Sequence, residues 1–219
     1  VAPKPETRTA LPLWATRPAP EPAPEVAGLQ KPLSPSALGG AKAIWSGVAA
    51  PEDPLAEEAV KARGTALHAL LEHLAAAPDP EALAARLIPD PALRPALLAE
   101  AQAILGDPAL ATLFAPGTLA EVAITARLGS RVLLGSIDRL IVTPDRLLAV
   151  DFKSNATVPA TAAATPEGIL RQMGAYAEAL SQIYPGRRIE TAILWTATRQ
   201  LMPLSPEIVR QALLRAATA

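Results

Sequence analysis

Three apolar segments in the second half of the chain constrain the fold more than any other feature. The first, 119–128, alternates apolar and polar side chains and ends at a Gly-Ser pair that favours a turn. The second, 131–142, leads through a Thr-Pro-Asp turn into the third, 147–153, which reads Leu-Leu-Ala-Val-Asp-Phe-Lys. Because both connections are tight, the segments are predicted to form an antiparallel meander of three strands.

Each predicted strand carries an acidic residue: Glu121, Asp138 and Asp151. Asp138 interrupts an apolar run, and a buried aspartate inside a strand is costly unless it is paired or holds a metal. Because side chains alternate along a strand, Asp151 and Lys153 share one face, as a local ion pair or as the edge of a reaction site. Two carboxylates and a lysine on neighbouring strands suit a hard divalent cation and a phosphate ester.

The segments around the meander are predicted to be mainly helical. Leucines repeat at helical spacing near His68, whose ordinary interpretation is a core or rim histidine. Gly64 lies in the same helix, where it costs roughly 1 kcal/mol relative to alanine, and it predicts a close backbone approach. The remaining predicted elements are a helix at about 55–77, two or three short helices within 81–115, a polar loop at 154–166 long enough to be a mobile flap, a helix at 166–183, strands at 189–195 and 201–204, and a closing helix capped by Ser205.

This order predicts an α+β fold with a central mixed sheet, an α-β-β-β-α-β core and flanking helices. Nine of the 24 prolines lie in the first 35 residues, so residues 1–32 are predicted to be a Pro/Ala-rich linker, largely extended or disordered. Residues 33–219 are predicted to form one domain, with a helical part at 33–117 and a sheet-containing core at 118–219. Because the chain begins at valine, we expect it to be the C-terminal piece of a larger protein.

Composition excludes several classes of site. The chain has no cysteine, which excludes a disulfide framework, a thiolate zinc site and a cysteine-ligated iron–sulfur cluster. The net charge of −1 gives no global basic field, so weak DNA binding by the isolated chain is expected. No 18-residue apolar run and no signal peptide are present, and a cytoplasmic protein without membrane contact is therefore expected.

Five short motifs, in this order, resemble the RecB-type branch of the PD-(D/E)XK nucleases. They are Gly64-Thr65-x-x-His68, Glu121, Gly135-x-Ile137-Asp138-Arg139, Asp151-Phe152-Lys153 and Gln172-x-x-x-Tyr176. The resemblance covers roughly residues 33–215, and it implies a restriction-endonuclease-like fold. Within the branch, the segments 151–155, 171–176, 183–187 and 192–196 look closest to the nuclease domain of the AddA family, the helicase–nuclease subunits of AddAB. The family's usual threonine after the lysine is Ser154 here.

The resemblance implies a role for each matching residue. His68, Asp138 and Asp151 would be divalent-metal ligands, with the Phe152 carbonyl as a further ligand. Lys153 would orient or help activate the attacking water and stabilise the charge that develops on the phosphate.

The other two motifs border the implied site. Gln172 and Tyr176 match the family's helix motif, which would organise the site or contact DNA. Glu121 matches an acid on the first strand, and a structural salt bridge is an equally good interpretation of it.

The resemblance also implies a cofactor and partners. The cofactor would be Mg²⁺, for which Mn²⁺ or Ca²⁺ could substitute, and no iron–sulfur cluster is expected. The substrate would be single-stranded DNA, cut by an exonuclease during double-strand-break repair and recombination. The partners would be the helicase domains of the same full-length chain and an AddB-like subunit, since this chain lacks the G-x-x-x-x-G-K-[ST] loop of a motor. Two alternatives are a non-catalytic DNA-guiding or partner-docking module of the same complex and a stand-alone RecB-like exonuclease.

Overall fold

A computed structural model describes residues 31–40, 54–155 and 157–217. Contacts within the chain divide it into two units, and the second, Lys31–Ala219, contains every described residue. All but the last two residues of the predicted linker at 1–32 lie outside the described residues. Among the described helices, none is both long enough and apolar enough to cross a membrane.

All nine predicted stretches of helix and strand outside the linker can be followed in order through the described chain. The bounds are α1 (Pro54–His73), α2 (Pro80–Leu87), α3 (Arg94–Leu105), β1 (Leu119–Leu128), β2 (Arg131–Val142), β3 (Arg146–Lys153), α4 (Glu167–Ile183), β4 (Arg188–Trp195), β5 (Gln200–Leu204) and α5 (Pro206–Ala217).

The first predicted helix is shorter than expected. Its α-helical part ends at His73, and Leu74–Ala76 form a 3₁₀ turn. At the other end of the chain, the Ser205 hydroxyl accepts a hydrogen bond from the Ile208 N–H at 3.4 Å, so Ser205 caps α5 as predicted.

The five strands form one mixed sheet in the order β1-β2-β3-β4-β5. β1, β2 and β3 pair antiparallel, which confirms the predicted meander. β4 pairs parallel to β3, because α4 carries the chain back across one face of the sheet between them. β5 then pairs antiparallel to β4. The predicted α+β fold with a central mixed sheet is confirmed.

Helices cover both faces of the sheet, and each face has its own hydrophobic core. The α4-side core joins α4 and α5 to one face, and it includes Ile137, Leu140, Ala149, Met173, Trp195 and Val209. The α1-side core joins α1, α2 and α3 to the opposite face, and it includes Leu67, Leu70, Leu71, Leu98, Val150, Phe152 and Leu194. The alternation of Ala149 and Val150 between the two cores shows why β3 is apolar without interruption until Asp151.

The sheet is irregular where its acidic residues lie. The β1–β2 pairing runs from Leu119↔Leu140 to Leu128↔Arg131 but omits Glu121, whose φ of 46° is left-handed. On β2, Ile137 and Leu140 both belong to the α4-side core, so the alternation of side chains shifts by one residue between them. A left-handed glutamate is strained by about 1–3 kcal/mol, and such strain concentrates at functional sites. The fold therefore interrupts regular pairing at the position that carries Glu121 and Asp138.

Candidate metal and nuclease site

The site lies at the end of β3, between α1 on one face of the sheet and α4 on the other. The paired register of β2 and β3 ends at Arg139↔Val150, one residue before Asp138 and Asp151. Beyond that point, a hydrogen bond from the backbone to a side chain takes the place of the backbone hydrogen bonds between the strands. The Asp138 Oδ2 atom accepts a hydrogen bond from the Phe152 N–H at 2.5 Å. Asp138 therefore holds the two diverging strands together while its other oxygen stays available.

That other oxygen belongs to a cluster of three possible metal ligands. His68, Glu121 and Asp138 each offer one ligand atom, and these atoms all lie within 4.8 Å of one another. His68 Nδ1 is 3.5 Å from Asp138 Oδ1, and Glu121 Oε2 accepts a hydrogen bond from the Ser136 hydroxyl at 2.9 Å. We call His68, Glu121 and Asp138 the open cluster, because Glu121 is exposed and the other two are half-buried.

α1 positions His68 through apolar contacts. Leu67, Leu70 and Leu71 are fully buried, which fixes the face of α1 that meets the sheet. The His68 ring then packs edge-on against Phe152, with ring centroids 5.6 Å apart. Burial by itself would lower the pKa of His68, but the contact with Asp138 outweighs it and the pKa is raised.

On the α4 side of the same strand end, a second set of polar residues is buried and connected. Lys153 Nζ forms an ion pair with Asp151 Oδ2 at 2.5 Å. The same ammonium donates a hydrogen bond to Gln172 Oε1 at 3.3 Å. Gln172 Nε2 donates to Asp151 Oδ1 at 2.7 Å and to the Tyr176 oxygen at 3.0 Å. We call Asp151, Lys153, Gln172 and Tyr176 the buried network.

Burial dominates the electrostatics of this network. Asp151 is only 2% exposed, and burial raises its pKa to about 6, with Asp138 adding to the rise and Lys153 opposing it. Burial likewise raises the pKa of Tyr176, which the charge of Asp151 reinforces, so the phenol stays protonated and acts as a donor.

Ser136 connects the two sets of residues, and the sequence did not single it out. Its hydroxyl donates to Glu121, while its carbonyl accepts a hydrogen bond from the Tyr176 hydroxyl at 2.5 Å. Gly135, the first residue of the predicted motif, precedes Ser136 and leaves space for Pro35 and the Tyr176 ring. A Cβ there would lie 2.7 Å from Pro35 Cγ and 3.4 Å from the Tyr176 ring. The spacing of Gln172 and Tyr176 on one helical face was the only sequence signal for this bridge.

Thr196 is a second residue that the sequence did not indicate. It lies just after β4, is 2% exposed, and its N–H donates to the Lys153 carbonyl at 3.0 Å. The parallel pairing of β3 with β4 brings it there, so Thr196 fixes the backbone from which the Lys153 side chain projects.

Gly64 allows α1 to approach the end of β3 closely, as predicted. A Cβ at this position would lie 3.0 Å from the Ser154 hydroxyl. A groove of about 360 Å³ runs between α1 and the residues that follow β3, and both His68 and Lys153 line it. His68 of the open cluster and Lys153 of the buried network therefore line one accessible groove.

The structure brings all the predicted site residues to one place but distributes them in two groups. The donors that converge are His68, Asp138 and Glu121, whereas the Asp151 carboxylate contacts Lys153 and Gln172. Glu121 forms no ion pair with any described residue, so the geometry favours its interpretation as a site residue. The roles of Asp151 and of the Phe152 carbonyl as ligands stay predictions.

The open cluster suits a hard divalent cation. Two carboxylates supply the oxygen ligands that Mg²⁺ and Mn²⁺ prefer, and an imidazole nitrogen is compatible with Mn²⁺ in particular. Three protein ligands that are partly exposed leave positions for water and a phosphate oxygen. The chemistry of the donors therefore fits the predicted cofactor.

The mixed sheet between two helical layers, with acids and a lysine at the splayed strand ends, defines a restriction-endonuclease-like α+β protein. A family model for the PD-(D/E)XK nuclease superfamily matches residues 45–218, which is most of the chain. The chain therefore belongs to the PD-(D/E)XK nuclease superfamily, as the motifs predicted.

Solved structures show more distant likenesses, with 22 matching chains. A candidate exonuclease from Eubacterium rectale has 15% sequence identity and a TM-score of 0.42 over 56% of this chain. The chain spans about half of that protein, 51%. The protein SSO0001 has 13% identity and a TM-score of 0.30, over 76% of this chain and 87% of its own length. No curated protein matches. The family match, and not these likenesses, identifies the chain.

Proposed function

We propose that this chain is a deoxyribonuclease that depends on Mg²⁺ and hydrolyses phosphodiester bonds of single-stranded DNA. The observation that carries the proposal is the convergence of the His68, Glu121 and Asp138 ligand atoms within 4.8 Å, beside a groove that His68 and Lys153 line. A site for a divalent cation beside an ammonium group is what phosphodiester hydrolysis requires, because negative charge on the phosphate must be neutralised.

The residues of the open cluster would hold the cation, and Asp151 would join them if its carboxylate turned from Lys153. When bound, Mg²⁺ supplies charge neutralisation at the phosphate and lowers the pKa of a water molecule. Mn²⁺ is proposed to substitute for it, and Ca²⁺ to occupy the site.

Lys153 acts on the attacking water and on the phosphate. Its ammonium donates hydrogen bonds, and its side chain is 21% exposed toward the groove. In hydrolysis, a bond forms between the water oxygen and phosphorus, the bond to the leaving sugar oxygen breaks, and the water proton passes to solvent or to the leaving oxygen. Lys153 orients the water and stabilises the charge on the phosphate oxygens during this exchange.

The buried network keeps Lys153 in place. Asp151 holds the ammonium, and Gln172 receives a hydrogen bond from Lys153 while it donates one to Asp151. Tyr176 connects Gln172 to the backbone of β2 through Ser136. A catalytic group that is held by a hydrogen-bonded network needs little reorganisation when the substrate binds.

The biological setting is also a proposal, supported by the motif resemblance to the AddA family. We propose that helicase domains of a longer chain deliver single strands to this domain as an exonuclease, with an AddB-like partner subunit, in double-strand-break repair in the cytoplasm. Four segments support this setting: Asp151–Asn155, Arg171–Tyr176, Ile183–Arg187 and Ala192–Thr196.

The test is cleavage of labelled single-stranded DNA by the purified chain with Mg²⁺, Mn²⁺ or EDTA. Asp151→Ala and Lys153→Ala are each expected to lose at least about 100-fold in rate. Asp145→Asn is a matched control, because this exposed aspartate lies at the opposite end of β3 and interacts with Thr143. Activity that survives in both site variants would contradict the proposal, and no activity in a folded, metal-loaded protein would favour the non-catalytic module.

A further inference from the structure

The groove beside Lys153 extends along α1 beyond the residues needed for hydrolysis. The described residues that line it are Val60, Lys61, Gly64, Thr65, His68, Phe152, Lys153, Ser154 and Asn155. They include two lysines, two hydroxyl groups and one side-chain amide, and no carboxylate. The open cluster is acidic, but the groove that leads to it presents cationic and neutral hydrogen-bonding groups. A phosphate chain fits such a lining.

Lys61 lies at the end of this groove away from His68. The two residues are seven apart on α1, so they share one helical face and are separated by about 10 Å along the axis. Lys61 and Thr65 are exposed, and the Thr65 hydroxyl donates to the Lys61 carbonyl at 3.1 Å. A strand of a duplex carries one phosphate per about 3.4 Å of axis, so the distance from Lys61 to His68 spans more than one phosphate.

The shape of the groove favours one strand over a duplex. Its volume of about 360 Å³ is near the lower end of the range for small-ligand sites, the scale of a nucleotide unit. Its base is narrow at Gly64, over which the Ser154 hydroxyl lies. A larger side chain in place of Gly64 would close this passage.

The described lining residues offer no exposed aromatic ring on which a base could stack. Proteins that bind single strands through their bases stack them on exposed aromatic rings. Phe152 is the aromatic side chain among the described lining residues besides His68, and it is 2% exposed. The lysines and hydroxyls present can donate hydrogen bonds to phosphate oxygens, and such contacts carry no sequence information.

From these observations we propose that the α1 groove binds the DNA phosphate next to the one that is cleaved, with Lys61 as its charged contact, independently of base sequence. The inference rests on the proposed nuclease function. Lys61 acts in binding only, so its removal raises KM and leaves kcat nearly unchanged.

The first experiment measures binding without turnover, by fluorescence anisotropy in EDTA at low salt with labelled oligonucleotides. The probes are an oligo-dT, a mixed-sequence DNA and an RNA of the same length. The proteins are the 219-residue chain and its Lys61→Ala, Lys61→Arg and Arg86→Ala variants. Arg86 is a matched control, because it is an exposed cation on α2 that does not line the groove.

Lys61→Ala is expected to raise Kd roughly threefold to tenfold for both DNA probes, and Lys61→Arg to restore it. The slope of log K against log salt should fall by about 0.7, the value for one single-strand phosphate contact. An equal change with RNA is expected if phosphates alone are bound. Lys61→Ala and Arg86→Ala with the same Kd and slope would overturn the proposal. A loss of affinity in Lys61→Ala that is confined to one DNA sequence would also overturn the proposal, as would the absence of binding by the unmodified chain.

The second experiment separates this inference from the proposed function. In steady-state cleavage with Mg²⁺, Lys61→Ala should raise KM by the same factor as Kd, and Arg86→Ala should change neither constant. A chain that never cleaves DNA but binds it through Lys61 would retain the phosphate contact in the groove and lose the nuclease assignment. A chain that cleaves with an unchanged KM in Lys61→Ala would retain the nuclease and overturn the groove assignment.

Discussion

Around α1, the open cluster has two carboxylates and an imidazole whose ligand atoms converge, and one of its carboxylates is on a strained, exposed residue. Around α4, the buried network has one carboxylate, which contacts an ammonium and an amide while being 2% exposed. The first arrangement leaves negative charge and lone pairs for a ligand. In the second arrangement, the polar groups form hydrogen bonds and an ion pair with one another. The comparison supports the proposal that one side of the sheet would bind the cation and the other side would position Lys153.

The largest expected effect comes from Asp138, which belongs to the open cluster and also holds Phe152. Asp138→Asn keeps an oxygen for the Phe152 N–H but removes the charge, so cleavage should fall at least about 100-fold with little change in stability. Asp138→Ala removes both, and it should also lower the free energy of unfolding by about 1–3 kcal/mol. Cleavage rates and urea unfolding separate the two roles, and equal stability of both variants would contradict the structural one.

The next effect concerns the cost of burying Asp151. Its pKa is raised from 3.8 to about 6, so the folded state binds its proton more tightly than the unfolded state does. The tighter proton binding by folded Asp151 therefore contributes stability that is fully present below pH 3.8 and is lost as pH rises through 6. In EDTA, Asp151→Asn should therefore gain stability relative to the original chain between pH 4 and pH 7, by on the order of 1–3 kcal/mol.

Urea unfolding at the two pH values, with EDTA present, measures this difference. Asp145→Asn is again the control, because hydrogen bonds to Thr143 lower the pKa of this exposed group and it should show no such gain. A stability difference for Asp151→Asn that is the same at both pH values would contradict the account of the buried network.

A smaller effect is expected for Tyr176→Phe, within the buried network. The change removes the hydrogen bond to the Ser136 carbonyl and leaves that group without this donor. Stability should fall by about 1–2 kcal/mol. Cleavage should fall by less than in Lys153→Ala, because Gln172 still contacts both Asp151 and Lys153. A rate as low as that of Lys153→Ala would mean that Tyr176 acts directly in the reaction.

The smallest effect is expected for Ser136→Ala, which removes the contact of Ser136 with the open cluster and keeps its contact with the buried network. Glu121 would lose its hydrogen bond from the Ser136 hydroxyl, while the carbonyl contact with Tyr176 would remain. Titration with Mn²⁺ should show affinity weaker by about tenfold, as expected for loss of a residue that orients a ligand. Unchanged affinity would indicate that Glu121 is not a ligand, and a large loss of stability would show that Ser136 mainly supports the fold.

The sequence predicted most elements of the fold because their signals are local. The strand ends at Leu128, Val142 and Lys153 follow from apolar runs and turn residues, and the structure has all three where predicted. The parallel pairing of β3 with β4 follows from the helix between them. The end of α1 was placed too late, because Leu74 continues the apolar stripe while the backbone tightens into a 3₁₀ turn.

The grouping of site residues was harder to predict, because it depends on irregular backbone. Strict alternation would place the even-numbered and odd-numbered residues of β2 on opposite faces throughout, yet Ile137 and Leu140 lie in the same core. The left-handed φ of Glu121 has no sequence signal, since glutamate rarely adopts it. Ser136 and Thr196 act through backbone contacts across the sheet, which become visible only once strand register is known.

Crystals of the chain soaked in Mn²⁺ would show whether the open cluster is the metal site. Anomalous scattering locates the ion without reference to activity. The account predicts one Mn²⁺ coordinated by His68, Glu121 and Asp138, with Lys153 close by and not coordinating. An ion held by Asp151 without Glu121, or a fully soaked crystal with no ion among these residues, would contradict it.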